Sequence, residues 1–314
     1  MEIRQVAIIG AGTMGHSLAQ TFALAGYPVR LHDLNEEILA RAGALIASNL
    51  RTLVEMHSLE ADQPPIVLKR IQTTTRIEEA GAEADFVIEA ISEDETAKKG
   101  LFRTLDAVCL AEAILASNTS YMDIFQFVET ARPDKVLITH WFAPPHIIPL
   151  VEIVRGPRTS QETVDRVKAL LVAAGKKPIV ISRFLPGFIA NRLQSALNNE
   201  VLHLLDNGYA TPEDIDLATK SSFGLRMPIL GLVKRMDYTG LDLARKIIEN
   251  GVCKIPPQRT RSESVDRLVS QGRLGVKTGG GFYEYGGRSP EEIMKERDEK
   301  LIRLKEFLQK MGEL

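Results

Sequence analysis

Val6-Ala-Ile-Ile-Gly10-Ala-Gly12-Thr13-Met14-Gly15, a helical stretch, and then Val29-Arg-Leu-His-Asp33 decide how this chain folds. The apolar run before Gly10 reads as a buried parallel strand. Three glycines follow at G-x-G-x-x-G spacing, a helix returns, and a second strand ends in an acid. That is a dinucleotide-binding arrangement. Gly10 permits the tight turn, Gly12 lets the backbone approach a pyrophosphate, and Gly15 lets helix and strand pack closely. Gly10, Gly12, Thr13, Met14 and Gly15 are therefore the expected pyrophosphate loop, because free N–H groups and the dipole at a helix start favour anions. Asp33 lies eighteen residues after Gly15, where a carboxylate accepts hydrogen bonds from the adenosine ribose. It would repel a 2′-phosphate, and Leu34 and Asn35 bring no arginine to bind one. The expected cofactor is NAD rather than NADP.

A chain of 314 residues is too long for one ordinary core, so two domains are expected. Hydrophobic content of 44% and charged content of 25% are those of a globular protein. A net charge of −2 gives no reason to invoke nucleic acid or a membrane surface. The two cysteines, Cys109 and Cys253, lack metal-ligand spacing; no metal is expected, and their scarcity predicts buried thiols in a reducing compartment. The first strand begins about six residues in, which leaves no room for a signal peptide. No apolar run approaches the roughly eighteen residues of a membrane span. A cytoplasmic protein is the expectation.

Predicted strands are Val6–Gly10, Val29–Asp33, Ile71–Thr74, Phe86–Glu89, Ile114–Ser117, Val136–His140, Leu150–Val154 and Pro178–Ile181, with helical patterns at Glu36–Met56, Glu95–Val108 and Gln161–Ala173. The alternation predicts an α/β fold with a Rossmann-type doubly wound sheet, mostly parallel. Beyond it, Pro186-Gly187 precedes a long helix with apolar residues at Leu193, Leu197, Val201, Leu204 and Leu205, ended by Asn207-Gly208. Thr211-Pro212-Glu213-Asp214 then predicts a capped helix start, and the chain reads as helical to its end. The expected domains are 1–183, binding NAD, and 184–314, all-α, for substrate and dimerisation. In the closing segment, Leu301, Leu304, Phe307, Leu308 and Met311 form a helical stripe that needs a partner surface.

The chain resembles the L-3-hydroxyacyl-CoA dehydrogenase superfamily over nearly its whole length. The residues that carry the resemblance are Val87-Ile-Glu-Ala90, Ala116-Ser-Asn-Thr-Ser120, Thr139-His140 with Pro144-Pro145, Leu150-Val-Glu152, Pro186-Gly-Phe-Ile-Ala-Asn-Arg-Leu193, Asp214-Ile-Asp216 and Lys277-Thr-Gly-Gly-Gly-Phe-Tyr283. The resemblance implies NAD-dependent oxidation of a secondary alcohol to a ketone, and the reverse. His140 matches the family's base and Glu152 the glutamate that orients it. Ser120 and Asn191 match the polar residues that hydrogen-bond the substrate oxygen or acyl carbonyl. Glu93, Lys98 and Lys277 match positions on the ribose and nicotinamide half of NAD. The resemblance also implies a homodimer formed through the helical domain. Plainer roles stay open: Ser120 as the cap of the next short helix, Asn191 on a solvated stripe with Ser195 and Asn198, Lys98 as a solvated charge.

Departures from the family pattern bear on substrate. Fatty-acyl members carry Phe-Phe-Asn after the histidine, whereas this chain has Trp141-Phe142-Ala143, so one cofactor hydrogen bond is missing or replaced. The stretch that is lysine-rich in acyl-CoA members reads Ser48-Asn-Leu-Arg51-Thr-Leu-Val-Glu55-Met-His57, with one arginine and a glutamate and so little positive charge for a nucleotide phosphate. The segment from His140 to Glu152 resembles a side branch acting on gulonate, carnitine or a pyridine alcohol, while Lys277–Tyr283 resembles the acyl-CoA enzymes. Arg226, in Phe223-Gly-Leu-Arg-Met-Pro228, is a candidate for binding a substrate carboxylate, against a plain surface ion pair. A short L-3-hydroxyacyl-CoA such as 3-hydroxybutyryl-CoA is the expected substrate, with a free small hydroxy acid or alcohol as the alternative. Two rivals are a β-hydroxyacid dehydrogenase, whose interdomain-helix lysine is absent after Pro186, and a non-catalytic NAD-binding protein.

Overall fold

The computed structural model describes residues 3–251 and 255–314; Cys253 lies outside them. The chain divides into two compact units, the first ending at Ile189 and the second beginning at Ala190.

In the first unit the described residues form one eight-stranded sheet, in the order β3-β2-β1-β4-β5-β6-β7-β8. The strands are β1 (Val6–Ile9), β2 (Val29–His32), β3 (Ile71–Thr74), β4 (Phe86–Glu89), β5 (Ile114–Ser117), β6 (Val136–Trp141), β7 (Leu150–Arg155) and β8 (Lys177–Ile181). Every residue of β1, β4 and β5 is buried. Unbroken apolar runs arise because a central parallel strand is covered on both faces. The covering helices are α1 (Gly15–Leu24), α2 (Glu36–Glu55), α3 (Gln63–Lys69), α4 (Ile77–Gly81), α5 (Glu95–Val108) and α6 (Gln161–Ala173). Side chains set the helix starts: Asn35, Asp94 and Ser160 accept from the amides of Glu37, Ala97 and Thr163, the local bond that favours these residue types at an N-cap.

Strands β1 to β6 run parallel, and the direction reverses once, between β6 and β7, so that β7 and β8 run parallel to each other and opposite to the rest. The parallel register aligns the carboxyl ends of β1, β2, β4 and β5, with Ile9 beside His32 and Glu89, and Glu89 beside Ser117. Cross-loop bonds hold that edge together: Gly10 donates to the His32 carbonyl, Ala90 to Ile9 and Asn118 to Glu89, each at 2.8 Å. The first and second strands are one residue shorter than predicted, which leaves Gly10 and Asp33 just past their ends, free to face a ligand.

The second unit is helical: α7 (Ala190–Asp206), α8 (Pro212–Ser221), α9 (Phe223–Leu230), α10 (Val233–Thr239), α11 (Leu241–Asn250), α12 (Glu263–Ser270) and α13 (Pro290–Lys310). Thr211 caps α8 as predicted, accepting from the Asp214 amide with Pro212 in the first turn. The expectation of helix to the end fails between α12 and α13. There Gly275, Gly280 and Glu284 form isolated β-bridges, with Gly275 and Gly279 at φ +89° and +75°. Glycine reaches these angles freely, so the run breaks helical propagation. The closing stripe is buried only in part: Leu308 is covered, whereas Leu304, Phe307 and Met311 are exposed. No helix among the described residues is long and apolar enough to cross a membrane. Cys109 is free and buried, and burial pushes its thiol up to about 11.

Candidate active site

The glycine loop takes the form its sequence predicts. Gly10 has φ +103°, and a Cβ there would lie 2.6 Å from the Ala90 carbonyl oxygen. A Cβ on Gly15 would lie 1.7 Å from the Gly10 oxygen, so only glycine lets α1 start this close to β1. A Cβ on Gly12 would meet nothing within 4 Å. Thr13 is exposed like Gly12, and Met14 occupies the cap position of α1 with no side-chain cap bond. First-turn N–H groups have no intrahelical partner, so an uncapped start beside an open glycine suits a pyrophosphate. The Asp33 carboxylate is set over the loop by the amides of Ala11 (2.9 Å) and Asn35 (3.2 Å). A cleft of about 680 Å³ opens here, lined by Gly10, Gly12, Asp33, Ile77, Ile91 and Leu101 among others, within the size range of cofactor sites. The residues fit a dinucleotide.

Beside the cleft, at the ends of β4 and β5, lies a buried polar network. Lys98 on α5 is 1% exposed; its amine donates to Glu89 Oε1 (2.6 Å) and pairs with Glu93 at 3.4 Å. The solvated reading of Lys98 is thereby corrected, since a buried ammonium persists only when paired. Glu89 also accepts from the Ser117 hydroxyl at 2.6 Å and the Ile91 amide at 2.8 Å. Glu93 accepts from the Thr119 hydroxyl (2.9 Å) and the Ser120 amide (2.7 Å). Thus Glu93, Lys98 and Ser120 are brought together. Capping of the next short helix falls to Asp123, which accepts from the Phe125 amide, and not to Ser120. Glu89 and Ser117 belong to quoted motifs but received no role from sequence. An acid inside the apolar run Val87-Ile-Glu-Ala90 was the available signal, because a buried carboxylate requires partners.

His140 and Glu152 occupy opposing positions on the antiparallel β6–β7 pair, so their side chains share one face of the sheet. His140 Nδ1 lies 2.8 Å from Glu152 Oε2, with His140 3% and Glu152 0% exposed. The carboxylate can only accept, which makes Nδ1 the protonated nitrogen and leaves Nε2 to act as a base. Glu152 Oε1 accepts from the Ile189 amide at 3.0 Å, fixing the carboxylate from its other side. Phe142 and Phe188 pack on the imidazole with ring centroids 4.6 and 5.1 Å away. Phe188 is fully buried at φ +51°, a left-handed conformation costly for a bulky residue. The Asn118 side chain accepts from the Trp141 amide at 3.1 Å, tying the end of β5 to the strand that carries His140. Sequence reading did not single out Asn118 or Phe188, whose roles depend on contacts across strands.

The remaining candidates lie in the second unit. Asn191 is half-buried in the first turn of α7, and Arg226 is exposed on α9. Lys277 is exposed in the short turn Val276–Thr278. Asn198, on the Asn191 stripe, accepts from the Gln194 side chain at 2.8 Å. Among the described residues no group of acids, histidines or cysteines could hold a metal.

Comparison with known proteins places this geometry in context. Residues 5–184 match the family model for the 3-hydroxyacyl-CoA dehydrogenase NAD binding domain, and residues 187–285 the model for its C-terminal domain. A probable 3-hydroxybutyryl-CoA dehydrogenase of Bacillus subtilis (strain 168) is 37% identical over 287 residues, covering 91% of this chain and 98% of that protein. A 5-formyl-3-hydroxy-2-methylpyridine 4-carboxylate 5-dehydrogenase of Mesorhizobium japonicum is 29% identical over 308 residues, covering 98% and 99%. A crystal structure of an enzyme of that activity, described as an NAD+ dependent dismutase, superposes with a TM-score of 0.87 at 28% identity, covering 98% of this chain and 99% of that one. With both domain models matched in order and the glycine loop shaped for a dinucleotide, the chain belongs to the 3-hydroxyacyl-CoA dehydrogenase family of NAD-dependent oxidoreductases acting on CH–OH groups.

Proposed function

We propose that this enzyme oxidises the 3-hydroxyl of a short L-3-hydroxyacyl-CoA, such as 3-hydroxybutyryl-CoA, to the 3-keto product, and catalyses the reverse reduction. The observation that carries the proposal is the buried His140–Glu152 pair at 2.8 Å, in a chain 37% identical to a probable 3-hydroxybutyryl-CoA dehydrogenase. When bound, NAD supplies the two-electron acceptor. His140 Nε2 takes the proton of the substrate hydroxyl, and Glu152 stabilises the imidazolium that forms. Ser120 and Asn191 hydrogen-bond the substrate oxygen as its charge grows. Gly10, Gly12, Thr13, Met14 and Gly15 hold the pyrophosphate and Asp33 the adenosine ribose. Glu93, Lys98 and Lys277 serve the ribose and nicotinamide half. The proposal includes a cytoplasmic homodimer built on the second unit. There, helices α7 to α11 bury no described residue fully, and Val233, Tyr238 and Ile248 are exposed.

A second reading, oxidation of a free small hydroxy acid or pyridine alcohol, has its own support. The similarity to the pyridine-carboxylate enzyme extends over 308 residues, and Arg51 is offset on α2 by Glu55, both exposed. In this reading Arg226 binds a substrate carboxylate. Following absorbance at 340 nm with acetoacetyl-CoA, and separately with free short hydroxy acids, decides between them. Turnover of the thioester alone supports the first reading. Turnover of the free acid, with an Arg226→Met variant losing about 1.5–3 kcal/mol of its binding, supports the second.

A further inference from the structure

The loop between His140 and Glu152 is fastened to the nucleotide-binding helix. Ser17, in the first turn of α1 and 1% exposed, has its hydroxyl oxygen 2.7 Å from His146 Nδ1 and 3.2 Å from the His146 amide nitrogen. The amide can only donate, so Ser17 Oγ accepts that bond; its second hydrogen bond, with Nδ1, runs in the direction the imidazole tautomer sets. Five residues further along α1, Phe22 meets Trp141 edge-on, centroids 5.7 Å apart. Trp141 directly follows His140 and is the sole tryptophan of the chain. Lys176 donates to the Pro145 and Ile148 carbonyls, with its amine 5.5 Å from the Trp141 ring centroid.

Two separate contacts therefore join the helix whose start faces a pyrophosphate to the strand and loop that carry the imidazole. An aromatic edge contact alone permits sliding along its face, whereas the Ser17–His146 pair has directional bonds and fixes one register.

We propose that His146 is a positioning residue, which locks the β6–β7 loop to α1 through Ser17 so that nucleotide seated on α1 and the His140 side chain are held in one fixed relation. A small displacement of a positioned base costs rate while leaving substrate binding nearly intact. The inference rests on His140 being the base, but it does not depend on which alcohol is oxidised.

The test uses His146→Phe, His146→Asn and Ser17→Ala in the full chain, with kinetics and with Trp141 emission titrated by NAD in the absence of substrate. His146→Phe and Ser17→Ala should each lower kcat about tenfold and leave the substrate KM within about twofold. The double variant should be no worse than either single one, because both remove the same link. Asn can turn either its amide oxygen or its NH2 to where Nδ1 stood, so His146→Asn should recover most of the rate. NAD should change Trp141 emission in the wild type and the Asn variant, and less in the Phe variant. Unchanged kcat in His146→Phe, additive losses in the double variant, or no recovery by Asn would each overturn the proposal. Ser17→Ala removes one oxygen atom and keeps the test open should the Phe variant not fold. A wild type that responds to NAD through Trp141 but turns over none of the alcohols tried would count against the proposed function and not against this link.

Discussion

Glu152 holds His140 from the directly opposing position of an antiparallel strand pair, Oε2 to Nδ1 at 2.8 Å, while its other oxygen receives the Ile189 amide. Both carboxylate oxygens are thus committed to donors. A glutamine cannot reproduce this, because one of the two donors would face an amide NH2. Glu152→Gln should therefore lower kcat by up to about 10⁴-fold, as expected when a base is held in the wrong tautomer. His140→Ala should cost about 10²–10⁴-fold, with NAD affinity preserved in both. Steady-state kinetics and NAD titration check this; a wild-type rate in either variant removes His140 from the chemistry.

The glycines of the loop should separate by mechanism. A Cβ on Gly15 would meet the Gly10 oxygen at 1.7 Å, whereas a Cβ on Gly12 would meet nothing within 4 Å. Gly15→Ala should unfold the first unit or lower its melting temperature steeply. Gly12→Ala should fold as the wild type does and lose NAD affinity. Circular dichroism melts and an NAD titration distinguish the two; equal melting losses would refute the assignment.

Lys98 answers two carboxylates, Glu89 at 2.6 Å and Glu93 at 3.4 Å. Lys98→Met leaves Glu89 charged and buried without its counter-ion, a change worth about 3–5 kcal/mol of stability. Adding Glu89→Gln should restore part of the loss. Chemical denaturation of the single and double variants measures both steps, and a stable Lys98→Met protein would show that the ion pair is dispensable.

A pH test lies at the end of α7. Burial alone would raise the pKa of Asp206, but the bonds from Ser264 and Ser262 and the Arg259 guanidinium outweigh it and hold the carboxyl at about 2, below its ordinary 3.8. A carboxyl depressed on folding stabilises the native state above its unfolded pKa, and that contribution fades as pH falls through the folded value. The melting temperature of Asp206→Asn should therefore trail the wild type by a constant margin near neutrality, and the margin should close between about pH 4 and 2. A gap independent of pH would contradict the assignment.

Local spacing made much of the first unit legible. The strands Ile71–Thr74, Phe86–Glu89 and Ile114–Ser117, and the helices Glu95–Val108 and Gln161–Ala173, coincide with their predicted residues, since apolar runs bounded by caps and turns encode them directly. The His140–Glu152 partnership was legible through the family pattern. The burial of Lys98 was not, because its partners Glu89 and Glu93 meet it only after β4 and α5 pack. The break at Gly275–Gly281 went unread because glycine is tolerated within helical patterns until several accumulate. The second unit's fine structure depends on packing that a stripe such as Leu304, Phe307 and Met311 does not specify.

The reversal of direction at β7 has a consequence for how such an enzyme can change. Glu152 sits within β7, flanked by Val151 and Ile153 in the ladder, rather than on a surface turn. Mid-strand positions are pinned by main-chain pairing whatever the neighbouring loops contain. The recognition surface can thus be rewritten by substitution in turns and helices while the proton-handling apparatus stays fixed. A scaffold of this kind can trade one alcohol for another without rebuilding its chemistry.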